Sequence, residues 1–111
     1  MLTREAILEI DDIETEAVSV PEWGGHVTVG TMSAGARDQW EATRYFAIKD
    51  GDPGKDIRAT LVALSCVDPE FTLKDVEALS KKSAAALDRI YAVSLRLSKI
   101  GADDVEALEK N

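Results

Sequence analysis

The sequence predicts an α+β, mainly α fold: one small domain of four to six helices with a single N-terminal β-hairpin. Three observations carry this. Apolar residues recur at helical spacing in several separate segments. β-Branched residues alternate only once, on either side of a turn rich in Pro and Gly. No repeat or linker divides the 111 residues, so residues 1–111 form one unit.

Thr3 is placed to cap a short helix through Ile7 and Leu8, with Glu5 in its first turn. The acidic stretch Glu9–Glu16 reads as a loop or frayed turn. Ala17–Val20 and His26–Thr31 then read as two strands joined through Pro21-Glu22-Trp23-Gly24-Gly25. That connection is longer than the two residues of the tightest hairpins. Pro21 stands at a strand end, where its missing N–H does least harm, and Trp23 is expected to fold over one face. This is the only convincing β structure in the chain.

Ser33 reads as the cap of a helix from Ala34 to Ile48, with Ala36, Trp40, Thr43 and Ala47 on one face. Tyr45 and Phe46 lie off that stripe, which predicts cover on more than one side. Asp50-Gly51-Asp52-Pro53-Gly54 is the strongest breaker. Its carboxylates, with Asp56, lack the further oxygen ligands, placed glycine and closing Glu of a calcium loop, so it reads as a plain connection with no metal.

From Asp56 to Val67 the pattern Ile57, Leu61, Leu64, Cys66, Val67 fits a helix, with a buried strand as the competing assignment, and Asp68-Pro69 ends it. Thr72-Leu73-Lys74-Asp75 resembles a capping box opening a short helix, Leu73 to Ser80. Ser80 or Ser83 caps the best amphipathic segment, Lys82 to Lys99. Its stripe is Ser83, Ala86, Leu87, Ile90, Val93, Ser94 and Leu97. Gly101 is expected to stop it, and Asp103-Asp104 to cap a last turn through Val105 and Leu108.

Composition narrows the chemistry. One Cys and one His exclude an internal disulfide, a multi-cysteine metal site and a two-histidine pair. Cys66, inside an apolar run, reads as a small buried hydrophobe, and His26 as a strand residue. The glycines form no phosphate loop. No nucleophile, acid–base pair or cofactor site is expected, and the chain reads as no enzyme.

The net charge is −8. That argues against nucleic acid and anionic membrane as partners. Residues 1–22 hold seven acids and one base, and residues 103–111 four acids and one base, around a nearly balanced middle. These ends either keep the domain dispersed or steer a basic partner. No apolar run approaches the ~20 residues of a membrane span, and no secretory signal opens the chain, so a reducing cytoplasm is the expected compartment.

The Lys82–Lys99 helix carries a second apolar strip, Ala84, Tyr91 and Leu95, roughly 100–140° from the stripe centred on Ile90. Either the domain itself covers it, or it docks another chain or a second copy.

Several segments together resemble the tail assembly chaperones of long-tailed bacteriophages. They are Val20-Pro21-Glu22-Trp23-Gly24-Gly25 with the Val27/Val29 strand; Arg58-Ala59-Thr60-Leu61-Val62-Ala63-Leu64-Ser65-Cys66-Val67-Asp68; and Phe71-Thr72-Leu73-Lys74-Asp75-Val76-Glu77-Ala78-Leu79, leading into Lys82–Ile90. The likeness spans about residues 3–100. Asp68-Pro69-Glu70 is shorter than the connection often found there. The resemblance implies a non-enzymatic protein of the infected cell's cytoplasm, absent from the finished virion. It implies binding to the tape-measure protein, whose long helical chain it keeps soluble. It also implies recruitment of tail-tube protein through a longer form made by −1 ribosomal frameshifting. The closing Glu109-Lys110-Asn111 can be encoded by a slippery heptamer. The other reading of the same residues is a small acidic interaction protein, inhibitor- or antitoxin-like, that binds a basic partner.

Overall fold

A computed structural model describes residues 1–49 and 57–100. Among them are five α-helices and a three-stranded antiparallel sheet. In chain order these are α1 (Arg4–Glu9), β1 (Thr15–Val20), β2 (Gly25–Gly30), α2 (Ala34–Lys49), α3 (Ile57–Ser65), β3 (Cys66–Asp68), α4 (Val76–Ser80) and α5 (Ala84–Leu97). The chain is α+β and mainly α, with the hairpin at its N-terminal side as the sequence predicts. The Asp50–Asp56 connection, the Gly101 stop and the turn at Asp103–Leu108 lie outside the described residues.

The hairpin pairs Val18 with Val27 and Val20 with Gly25. Its turn is a single 3-10 turn, Pro21–Trp23, closed by Gly24 at φ 74°. That left-handed backbone suits glycine, which has no Cβ to clash. Pro21 opens the turn, where no N–H is needed, and half-buried Trp23 packs on the core beneath.

The third strand takes up only the end of the run for which a strand was the competing assignment. The helix ends at Ser65, and Cys66–Asp68 pairs with β2 through a register shift at Thr28/Val29. Pro69 disfavours helical backbone at Asp68, and β2 offers an open edge that takes the backbone groups a longer helix would have used. The Asp68–Pro69 peptide is cis. The run is helix and strand in succession.

Three layers result. Val18, Val20, Val27 and Val29 on the inner sheet face pack against Ala59, Val62 and Ala63 of α3 and Ala86, Leu87 and Ile90 of α5. On the far side of α3 and α5, Leu61 meets Met32, Trp40 and Ile100, and α2 forms the outer layer. Trp40 is completely buried, and the Arg44 guanidinium lies 5.0 Å from its ring centroid, a cation–π contact. Ala36 and Thr43 of the expected stripe are half-buried with it, whereas the side chain of Ala47 lies outside the described residues. Tyr45 and Phe46 do not gain the second cover expected of them. They remain 61% and 55% exposed, ring edge to ring face at 5.4 Å, because α2 is an outermost layer.

The caps follow the sequence closely. Ala36 N–H donates to Ser33 Oγ at 3.1 Å, and Ala86 N–H to Ser83 Oγ at 3.4 Å. At residues 72–75 the reciprocal box is complete: Lys74 N–H donates to Thr72 Oγ1 and Thr72 N–H to Asp75 Oδ2. The last helix stops two residues earlier than predicted. Lys99 takes φ 59°, and Ile100 N–H donates back to the Leu95 carbonyl at 2.9 Å. This is a left-handed C-terminal cap, and it turns Ile100 into the second cluster.

Candidate functional site

The groups with reactive chemistry are placed as bland ones. Cys66 is 5% exposed, and burial pushes its thiol up to about 11, so it is not a thiolate at neutral pH. His26 is exposed on β2 opposite Ser19. No group of three or more His, Cys, Asp or Glu residues is gathered as metal ligands among the described residues.

The second strip of α5 does not stay together. Tyr91 is half-buried, its ring edge-on to Trp40 at 6.5 Å between centroids. Leu95 is half-buried beside Met32, Leu61 and Ile100. Ala84 sits exposed in the first turn, away from both clusters. The domain thus covers much of Tyr91 and Leu95 itself, and only their outer atoms face solvent.

Apolar surface is open elsewhere. Leu2, Ile7, Leu8 and Ile10, in and around α1, are 68%, 53%, 67% and 52% exposed. α1 forms because Ala6 N–H donates to Thr3 Oγ1 at 3.1 Å, yet it buries no side chain. Tyr45 and Phe46 form a second exposed patch. A third lies at the sheet end, where Val67 and half-buried Ile13 converge over Gly30. A Cβ on Gly30 would meet Val67 Cγ1 at 3.0 Å and Ile13 Cγ2 at 3.2 Å. Val67 also lines an open groove of about 440 Å³ with Leu64, Cys66, Glu70 and Phe71.

Sequence reasoning missed these patches for a definite reason. Helical spacing finds residues that share a face, but whether a layer covers that face depends on topology. The signal that was readable is compositional: apolar Leu2, Ile7, Leu8 and Ile10 lie among Glu5, Glu9, Asp11 and Asp12.

Ion pairs tie the hairpin to α5 and α3 to α5. Arg89 grips both carboxylate oxygens of Glu22 at 3.1–3.3 Å, Arg96 pairs with Glu16, and Arg58 with Asp88 at 2.8 Å. A backbone N–H and then the Arg89 guanidinium hold the Glu22 carboxyl below its usual range. No described helix is long and apolar enough to cross a membrane. Comparison with protein-family models, with curated proteins and with solved structures finds no match for this chain.

Proposed function

We propose that this chain is a tail assembly chaperone of a long-tailed bacteriophage. It binds the tape-measure protein in the infected cell's cytoplasm, keeps that long helical chain soluble, and helps recruit tail-tube subunits through a longer frameshifted form. It does so without catalysis and without cofactor or metal.

The observation that carries this reading is the coexistence of open apolar surface and strong negative charge. Among the described residues nine large apolar side chains stay exposed, on a chain of net charge −8. Apolar patches on a small domain mark contact with other chains, and shared negative charge keeps the resulting complexes apart. A chaperone needs only to prefer the unassembled partner, which mass action converts into protection. The ordered likeness of residues 3–100 to the chaperone family points the same way.

A second reading has its own support: the concentration of seven acids within residues 1–22 suits an inhibitor or antitoxin-like protein that holds a compact basic partner. Co-expression with the tape-measure protein decides between them. The chaperone reading expects the long protein to move from the pellet to the supernatant and to co-elute with this chain. If it pellets equally with and without this chain, the reading fails. The second reading then stands if a compact basic protein co-purifies.

A further inference from the structure

α1 is a helix that its own domain does nothing to stabilise. It spans six residues and buries none of them. Isolated helices shorter than ~12–15 residues are marginal in water, and although Thr3 caps its start and Glu5 suits its first turn, the local terms at its C-terminal end oppose it. Glu5 and Glu9 stand four apart, where like charges repel. Glu9 occupies the last turn, at the negative end of the helix dipole, and no basic residue accompanies it there. Asp11 and Asp12 follow at once. Ile7 and Ile10 are neighbours three apart, flanked by Leu8, and all are more than half exposed.

A single kind of partner relieves all of these terms together. An apolar surface would bury Ile7, Leu8 and Ile10. Lys or Arg at its rim would neutralise Glu9, Asp11 and Asp12 and complement the helix end. We propose that α1 is the docking helix of this protein, seating its aliphatic face on a partner protein whose apolar surface is rimmed by Lys or Arg. The inference rests on the reading of this chain as an interaction protein, and it adds the element that docks and the chemistry that receives it. A second copy is a poor receiver. Its open groove carries Glu70, Asp68 lies next to that groove's Val67, and two chains of net charge −8 repel.

The test uses the full-length chain and its Ile7→Glu/Leu8→Glu variant. Neither side chain is buried, so both proteins should melt at the same temperature. The probes are two designed amphipathic helical peptides, one of Leu and Lys and one of Leu and Glu, titrated calorimetrically at physiological salt. The substitution reverses the sign of the two explanations. Charge attraction alone would be strengthened by two added acids. Docking through the aliphatic face would be weakened roughly ten- to a hundred-fold.

The proposal expects the wild type to bind the Leu/Lys peptide, gaining helix by circular dichroism, and the variant to bind it at least tenfold more weakly. Equal or tighter binding by the variant, no binding by the wild type, or equal wild-type affinity for the Leu/Glu peptide overturns it. So does a wild-type dimer in sedimentation that the variant loses, which would make the second copy the occupant. Tape-measure co-expression separates this from the chaperone reading. If the variant solubilises that protein as well as the wild type does, α1 docking fails and the chaperone role stands. If the peptide results hold but the wild type leaves the tape-measure protein in the pellet, the chaperone role fails and the docking helix stands.

Discussion

Among the described residues, Lys99 is the one whose backbone least suits its side chain. At φ 59° it occupies the left-handed region that ends α5, a position where a Cβ crowds the following carbonyl. Replacing Lys99 with Gly should stabilise the domain by about 1 kcal/mol in urea denaturation, because the cap hydrogen bond from Ile100 to Leu95 is a backbone contact and survives. An unchanged or lower midpoint would mean that the Lys99 side chain supplies something the backbone does not. Cys66 makes a complementary case, in which the environment suits the residue and silences it. Burial raises its thiol from 9.0 to about 11. The folded value lies above the unfolded one, so the stability it contributes is complete below pH 9.0 and is lost as the pH climbs through about 11. At pH 8 a disulfide reagent should therefore label Cys66 slowly in the native protein and at once in urea. Fast native labelling would contradict both its burial and its neutral state.

At the scale of elements, α5 decides the fold. Its Ile90 face closes the sheet core, its Tyr91 and Leu95 side reaches the Trp40 cluster, and its Arg89 and Arg96 reach back to Glu22 and Glu16. The first of these relations was legible in the sequence, because one apolar stripe at helical spacing must face a core. The second strip was legible as apolar, with self-cover and docking both open, because the cover that decides it comes from α2 and from Met32, far away in the chain. The same limit explains β3. Three residues are too few to show alternation, and only the open edge of β2 makes them a strand. Caps were read well at Ser33 and in the box at Thr72, and to within Ser80 or Ser83 ahead of α5, because they are local chemistry, complete within four residues. The packing of Tyr91 and Leu95 has a measurable consequence. Tyr91→Ala with Leu95→Ala should cost roughly 2–4 kcal/mol of stability, as two half-buried core truncations. A midpoint shift below about 0.5 kcal/mol would show that the pair is spare surface, available for docking after all.

The whole molecule sets exposed apolar patches against net charge, and pH can remove one without the other. The charge of −8 at neutrality falls to zero near pH 4.6. The apolar side chains of the patches at α1, at Tyr45 and Phe46, and at Val67 stay exposed whatever the net charge. Near pH 4.6 the molecules therefore lose their mutual repulsion while keeping their apolar surface, and light scattering should rise steeply as that pH is approached. The native fold should persist through this rise. Among the described residues no carboxylate is buried in the core, and Glu22, held below its usual range by a backbone N–H and by Arg89, keeps its ion pair as the pH falls below 4.5. Association should accordingly precede unfolding, with the near-ultraviolet circular dichroism of buried Trp40 intact when scattering begins. Moderate salt at pH 7 should act in the same direction but more weakly, because screening shortens the range of repulsion to about 8 Å at 0.15 M without abolishing the charge. Scattering that stays flat across the isoelectric pH would mean that the patches are too small or too dispersed to bind one another. Scattering that begins only after the near-ultraviolet signal is lost would assign the association to unfolded chains. The ordering of the two signals thus tests whether the exposed surface of the folded domain is adhesive in itself, and negative charge is what holds it in check.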